Sequence, residues 1–238
     1  MTVPKTLVAV LTYNEGEKLQ AVLGAFPDER TYDLLVIDDG STDETTGFLS
    51  NGPHQVIRHD RNRGVGACIR DAVSWARRRE YEVIVIMAGN GKMQPQEIPR
   101  LLEPIYAGTA DYVQGSRYLE GGRSPNLPLF RRIMIRLFTG FVNLATGFPG
   151  TDVTCGFRAY RLSVFDHPEI NLDQDWLDQY ELEYYLHYKV LRYRLRVVEA
   201  PVSMVYPKSG RDYSKIRPFV GWWSMIRPWL FLVLRLRK

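Results

Sequence analysis

The sequence predicts an α/β fold, a mostly parallel central sheet with helices on both faces and an amphipathic helix at the C-terminus. Three observations predict it. Short apolar runs alternate with amphipathic helical ones through the first half of the chain. Several apolar runs break abruptly into polar turns, above all Val36-Ile37-Asp38-Asp39-Gly40-Ser41-Thr42-Asp43. With 238 residues, 45% hydrophobic and 24% charged, the chain can bury one substantial core without needing a second domain.

The elements follow in order. Residues 6–12 read as a buried strand, 17–26 as a helix and 33–37 as a second strand. Gly40 permits the sharp turn that follows. Ser41 or Thr42 can cap a helix over 43–49, and Asp43 suits its positive end. A strand over 55–59, a helix over 65–79 and a strongly apolar strand over 82–87 come next. Pro95 is suited to open a helix ending near Ala107, and 111–114 read as a further strand. After Ser116 the texture changes. Gly121-Gly122 and Pro125 through Pro128 make a loop before an amphipathic helix, Leu129–Thr146, whose Arg132 and Arg136 share a face at i,i+4. Over 166–183 the acids Asp166, Glu169, Asp173, Asp175, Asp178, Glu181 and Glu183 occur with no lysine or arginine between them. No repeat or linker divides the chain, so one domain is expected over 1–215 with an appendage over 216–238.

Composition excludes several classes. Two cysteines, Cys68 and Cys155, cannot build a disulfide framework, and four histidines are scattered without zinc-ligand spacing. No cationic and apolar leader opens the chain, which predicts a cytoplasmic protein. The net charge of +4 is uneven. From Lys208 to Lys238 eight basic residues face one acid, a surplus of seven that leaves the remainder at minus three. Trp222, Trp223, Trp229 and Phe231 alternate with arginines there, and the apolar run over 229–234 is far shorter than the ~20 residues of a bilayer span. Two readings stay open: a segment lying peripherally on the inner face of a membrane, or a helix packed on its own domain. Nucleic acid is not an expected partner.

In an open α/β sheet, ligands bind at the carboxyl ends of the strands, so Asp38 and Asp39 are placed to accept hydrogen bonds from a nucleobase N–H or ribose hydroxyls. An ordinary turn accounts for Gly40, Ser41 and Asp43 but not for two adjacent carboxylates. Further motifs are Thr12-Tyr13-Asn14-Glu15, Asn62-Arg63-Gly64-Val65-Gly66, Gly115-Ser116-Arg117-Tyr118, Asp152-Val153-Thr154-Cys155-Gly156-Phe157-Arg158 and Glu199-Ala200-Pro201-Val202.

In order and spacing these motifs resemble the family-2 glycosyltransferases, and within them the polyprenyl-phosphate branch that includes dolichol-phosphate mannosyltransferases. The resemblance runs from about Leu7 to Lys215 and implies a GT-A fold and transfer of a hexose from a GDP- or UDP-sugar, with inversion, to polyprenyl phosphate. It implies a donor site formed by Thr12, Asn14, Glu15, Asp38, Asp39, Gly64, Gly66, Gly89 and Asn90. Glu15, Asp38 and Asp39 would hold base and ribose. Gly64 and Gly66 would let a helix N-terminus approach the nucleotide, or serve only helix-start packing. Arg117 and Arg131, assisted by Arg136, match positions facing the acceptor phosphate, where a planar guanidinium pairs two oxygens. Arg132 reads as a solvated charge. Asp152, Glu181 and Glu183 are the candidate bases, Glu183 matching a family helix glutamate. A phosphate acceptor needs little base catalysis, and Asp152 would then orient groups or pair with Arg158.

The pattern breaks after the fourth strand. Where the family reads MDADGQ, with two metal-binding aspartates, this chain has Met87-Ala88-Gly89-Asn90-Gly91-Lys92. Two carboxylates and a divalent cation sum to zero charge, and losing all three leaves that sum unchanged while Lys92 adds one positive charge. The expectation is that no metal cofactor is required: Lys92 replaces Mg²⁺ or Mn²⁺ toward the diphosphate, with Asn90 as a donor. The catalytic set is thus Asp152, Lys92, Asn90 and Glu183. Two alternatives remain open, the same donor chemistry on a soluble acceptor and a catalytically silent nucleotide-sugar-binding protein.

Overall fold

The computed structural model describes residues 3–208, 220–234, 236 and 237. The strands are β1 (Thr6–Thr12), β2 (Asp33–Asp38), β3 (Gln55–Arg58), β4 (Val83–Ala88), β5 (Tyr112–Ser116), β6 (Arg158–Arg161) and β7 (Val197–Pro201). They form one sheet in the order β3-β2-β1-β4-β6-β5-β7. Every pairing is parallel except those of β6, which runs antiparallel to both β4 and β5. The expected α/β class and mostly parallel sheet therefore hold. The reversed strand was not anticipated, because Arg158-Ala159-Tyr160-Arg161 is short and carries no apolar run.

The helices are α1 (Gly16–Gly24), α2 (Thr45–Ser50), α3 (Val65–Arg78), α4 (Ile98–Tyr106), α5 (Leu129–Thr146), α6 (Glu181–Arg192) and α7 (Val220–Val233). Pro95 opens a single 3-10 turn, Pro95–Glu97, and α4 starts after it with Pro99 in its first turn. Alternation along β1 divides the core. Val8 and Val10 face the cluster containing Leu19, Val22, Leu101 and Ile105, whereas Leu7, Ala9 and Leu11 face Ile69, Ala72, Tyr185 and Leu186. Burying apolar side chains on both faces at about 25 cal/mol per Å² is the main stabilising term. It leaves the carboxyl ends of β1, β2 and β4 together at one rim.

The boundary placed after Lys215 falls outside the described residues. The described part of the appendage packs on the domain, as the second reading of that segment expected. Trp229 is fully buried against Val142, Val153 and Tyr184. Arg227 reaches Glu181 at 2.5 Å. Elsewhere on α7, Trp223, Ile226 and Val233 are exposed. Among the described residues no helix is long and apolar enough to cross a membrane.

Candidate active site

The rim begins with two register partners, Thr12 at the end of β1 and Asp38 at the end of β2. Asp38 is buried and its Oδ1 accepts the Ser41 N–H at 3.0 Å. Its Oδ2 and the Thr12 hydroxyl are both buried without a hydrogen-bond partner, and Arg58 Nε stands 3.6 Å from Asp38 Oδ2. Buried polar atoms are seldom left unmatched, which sets these two apart from the rest of the rim. Gly40 makes the turn beyond it at φ +74°, where a Cβ would lie 2.4 Å from the Arg61 backbone.

Asn14 braces this rim. Its N–H donates to Ser41 Oγ at 2.9 Å, and its Oδ1 accepts the Thr42 N–H at 2.8 Å. Ser41 is thus engaged by Asn14 rather than capping α2, while Asp43 accepts the Thr45 N–H. Glu15 follows immediately, 3.4 Å from Lys18 Nζ.

Asp39 differs from its neighbour. Its Oδ1 accepts from His59 Nδ1 at 2.6 Å and from the Arg63 N–H at 2.8 Å, and its Oδ2 accepts the Gly64 N–H at 2.8 Å. The other nitrogen of His59 meets Asp71 at 2.9 Å, and Arg63 joins the same carboxylate. The hydrogen bond to Asp39 raises the His59 pKa against the effect of burial, with Asp71 adding to it. Burial acts to raise the Asp39 pKa, but the bonds from His59, Arg63 and Gly64 outweigh it and leave it lowered. Both shifts favour the charged forms, a carboxylate facing an imidazolium. Of the adjacent acids Asp38 and Asp39, only Asp38 keeps an oxygen without a hydrogen-bond partner; Asp39 holds the 59–64 loop.

The helix N-terminus expected to approach the nucleotide is covered. The N–H groups of Gly66 and Ala67 both donate to the Asp178 carbonyl, at 2.9 and 3.1 Å. A Cβ on Gly66 would lie 1.9 Å from the Leu177 carbonyl oxygen, and Gly64 has φ +101° beneath Asp178 and Gln179. Both glycines therefore serve packing, the second of their two readings. Gly89 does likewise, since a Cβ there would lie 2.7 Å from Leu19. Asp178 pairs with Arg70 while its side chain stays 46% exposed, and Glu181 is buried. Burial raises the Glu181 pKa, with Arg227 opposing.

At the end of β4 the 88–92 turn carries no carboxylate. Asn90 Oδ1 accepts the Lys92 N–H at 3.2 Å, and the Lys92 carbonyl accepts from Val205. This donor set does not fit a divalent cation bridging a diphosphate, which requires hard anionic oxygens. Among the described residues one group offers three ligand atoms, Asp39, His59 and Cys68, within 4.8 Å of one another. The carboxylate there is already hydrogen-bonded, and burial with the adjacent Asp39 charge drives the Cys68 pKa far upward, keeping it a thiol.

Arg117 and Asp152 overturn two assignments together. Arg117 Nε donates to Asp152 Oδ2 at 2.6 Å and Nη2 to Oδ1 at 2.7 Å. Thr154 Oγ1 and Tyr206 Oη accept from the same guanidinium, each at 2.6 Å. Both side chains are buried. Arg117 is thus not presented to an acceptor phosphate, Asp152 is not free to act as a base, and its partner is not Arg158. Arg158 instead donates to the Glu183 carbonyl at 2.9 Å and lies 3.6 Å from that residue's carboxylate. Glu199, from the last motif, fixes the turn by accepting the N–H groups of Thr151 and Asp152.

Tyrosines that motif spacing does not single out organise the cations. Lys92 Nζ and the Arg131 guanidinium each lie 5.7 Å from the Tyr206 ring centroid. Arg136 lies 5.7 Å from the ring of Tyr118, whose hydroxyl is buried without a partner. Tyr118 stands in a quoted motif and was assigned no role. Tyr206 follows the last motif, and the isolated pairing of Met93 with Met204 and the bond from the Val205 N–H to the Lys92 carbonyl bring it to Lys92.

Residues 7–167 match the Glycosyl transferase family 2 model. An undecaprenyl-phosphate mannosyltransferase of Micrococcus luteus is 32% identical over 214 residues, covering 87% of this chain and 86% of its own. A polyprenol monophosphomannose synthase of Mycolicibacterium smegmatis is 32% identical over 216 residues, covering 87% and 79%. Among solved structures, glucosyl-3-phosphoglycerate synthase of Mycobacterium tuberculosis, in complex with Mn²⁺, UDP and glucosyl-3-phosphoglycerate, aligns with a TM-score of 0.69 at 16% identity over 95% of this chain and 79% of its own. That likeness bears on the fold, which is of the GT-A class with the mostly parallel sheet expected. With a family match over most of its sheet and two relatives at this identity, the chain belongs to the family-2 glycosyltransferases.

Proposed function

We propose that this glycosyltransferase moves a hexose from a GDP- or UDP-sugar to polyprenyl phosphate at the cytoplasmic face of a membrane, without a metal ion. The observation that carries the reading is the meeting of Lys92, on the donor side, and Arg131, on the acceptor side, at the single ring of Tyr206. The names of the relatives in Micrococcus luteus and Mycolicibacterium smegmatis support the lipid acceptor.

The chemistry follows from charge. A phosphate monoester oxygen is already anionic near pH 7, its second pKa being ~6. It attacks the anomeric carbon directly, the bond from that carbon to the diphosphate oxygen breaks, and the nucleoside diphosphate leaves. No proton has to be removed, which agrees with Asp152 being held by Arg117. Negative charge accumulates on the leaving diphosphate, where Lys92 serves as a point charge and Asn90 as a hydrogen-bond donor. Arg131 and Arg136 orient the acceptor phosphate. At the nucleoside end Asp38 and Thr12 contribute the unmatched polar atoms, with Glu15 beside them.

The acceptor reaches the site from a lipid surface. Leu129, Phe130, Ile133, Leu137 and Leu144 are exposed along α5, 88% in the case of Leu144. An apolar stripe with arginines alongside suits a helix lying in a membrane interface. The exposed side of α7 extends it.

The test incubates the full chain with polyprenyl phosphate and either GDP-mannose or UDP-glucose, with and without excess EDTA, and identifies product by mass spectrometry. Glycosylated lipid phosphate formed equally with EDTA is the expected result. Strict dependence on Mn²⁺ or Mg²⁺ would remove the metal-free part, and turnover only on a soluble acceptor would remove the lipid part.

A further inference from the structure

The acceptor-side cation Arg131, the donor-side cation Lys92 and the buried Arg117 belong to different elements. Lys92 lies in the turn after β4, Arg131 in the first turn of α5 and Arg117 just after β5. All three converge on Tyr206, which is 2% exposed. Lys92 and Arg131 are each 5.7 Å from its ring, within cation–π range, and Arg117 donates to its hydroxyl at 2.6 Å. The segment bearing Tyr206 is itself pinned on both sides. Val205 N–H donates to the Lys92 carbonyl at 2.9 Å, Tyr206 N–H donates to the Pro125 carbonyl at 3.1 Å, and Asn126 donates back to the Tyr206 carbonyl at 2.9 Å.

A π face is a neutral group that attracts both cations. The Arg117 hydrogen bond fixes the ring, because that guanidinium is itself locked by Asp152. The buried ion pair thus acts on the site through Tyr206 rather than by touching substrate.

We propose that Tyr206 is a positioning residue, whose ring holds Lys92 and Arg131 so that one charged cradle receives both the diphosphate of the donor and the phosphate of the acceptor. It rests on the transferase reading for the identity of those anions, but the cradle itself is testable with inorganic diphosphate alone.

Isothermal titration of the full chain with inorganic diphosphate, without metal, provides the measurement. K92M and R131M should each weaken binding at least tenfold. Y206M, which fills a similar volume with no π face, should also weaken it at least tenfold. Y206F, which keeps the ring, should restore affinity to within about threefold of the original chain. Thermal unfolding of Y206M and Y206F within a few degrees of the original chain would separate positioning from folding; should Y206M unfold, Y206H supplies a second test of ring character. In turnover, the KM for donor and for acceptor should both rise in Y206M, which a purely structural role elsewhere would not produce. Wild-type affinity in Y206M, or a Y206F as weak as Y206M, would overturn the assignment to the ring. Intact diphosphate binding with no sugar transfer by the original chain would overturn the transferase reading and leave the cradle standing.

Discussion

Arg117 and Asp152 meet in a bidentate ion pair, Nε to Oδ2 at 2.6 Å and Nη2 to Oδ1 at 2.7 Å, with neither side chain open to solvent. Breaking one half of such a pair strands the other as a buried charge. D152A and R117A are each expected to lower stability by about 3–5 kcal/mol, whereas the double replacement R117M/D152L should be less damaging than the sum of the single changes. Urea unfolding of the four chains measures this.

The Asp39–His59 pair sets a pH window. The Asp39 pKa is lowered in the folded chain, so its contribution is full above the unfolded carboxylate value and is lost as pH falls through the folded one. The His59 pKa is raised, so its contribution is full below the unfolded imidazole value and is lost as pH rises through the folded one. Thermal stability should therefore decline on both sides of a plateau in mildly acidic solution. H59Q is expected to flatten the alkaline decline and to shrink the acid one, because His59 is the largest influence holding the Asp39 pKa down, as read from melting temperatures between pH 4 and pH 9, a range chosen to bracket ~3.9 and ~6.5.

Glycines should divide by their surroundings. G66A forces a Cβ against the Leu177 carbonyl and should cost about 1–3 kcal/mol, with the 177–179 turn displaced from α3. G140A, within α5 with nothing near its Cβ position, should instead add about 0.4–1 kcal/mol by narrowing the unfolded ensemble. Denaturant midpoints distinguish the two.

K92A is expected to reduce kcat by about 10²–10³, the scale for loss of one electrostatic contact to a developing charge. Restoring a single carboxylate with A88D should not produce metal activation, because one hard ligand does not make a site. Initial rates with and without Mn²⁺ test both statements.

Substitutions on the outer face of α5 should leave the fold unchanged. L137E and L144E remove exposed apolar groups and are expected to change stability by less than about 0.5 kcal/mol, while sharply reducing sedimentation with vesicles containing anionic lipid. Unchanged sedimentation would remove α5 from the membrane contact.

The parallel half of the sheet was legible because its strands are continuous apolar runs, and α5 because its periodicity is long and clear. The strand β6 was not, since its four residues acquire their place only by lying between β4 and β5. The same division holds at the site. Asp38 could be found from its position at a strand end. The engagement of Asp39 depends on His59, twenty positions later, and that of Arg117 on Asp152, both partnerships created by topology. Spacing could not say that Gly66 makes room for a carbonyl rather than a phosphate. Tyr206 lay outside every motif and owes its position to the pairing of 93 with 204.

Trp229 on α7 closes over Val142, Val153 and Tyr184. A chain shortened to end before Val220 would lose that cover and bare an apolar cavity wall beside the Asp152 turn. Such a truncation, the usual way to free an enzyme from a membrane, would here make the protein more prone to aggregate, and any loss of vesicle binding it caused would not isolate the tail. Single changes at Trp223 or Val233, both exposed, separate lipid contact from the integrity of the core.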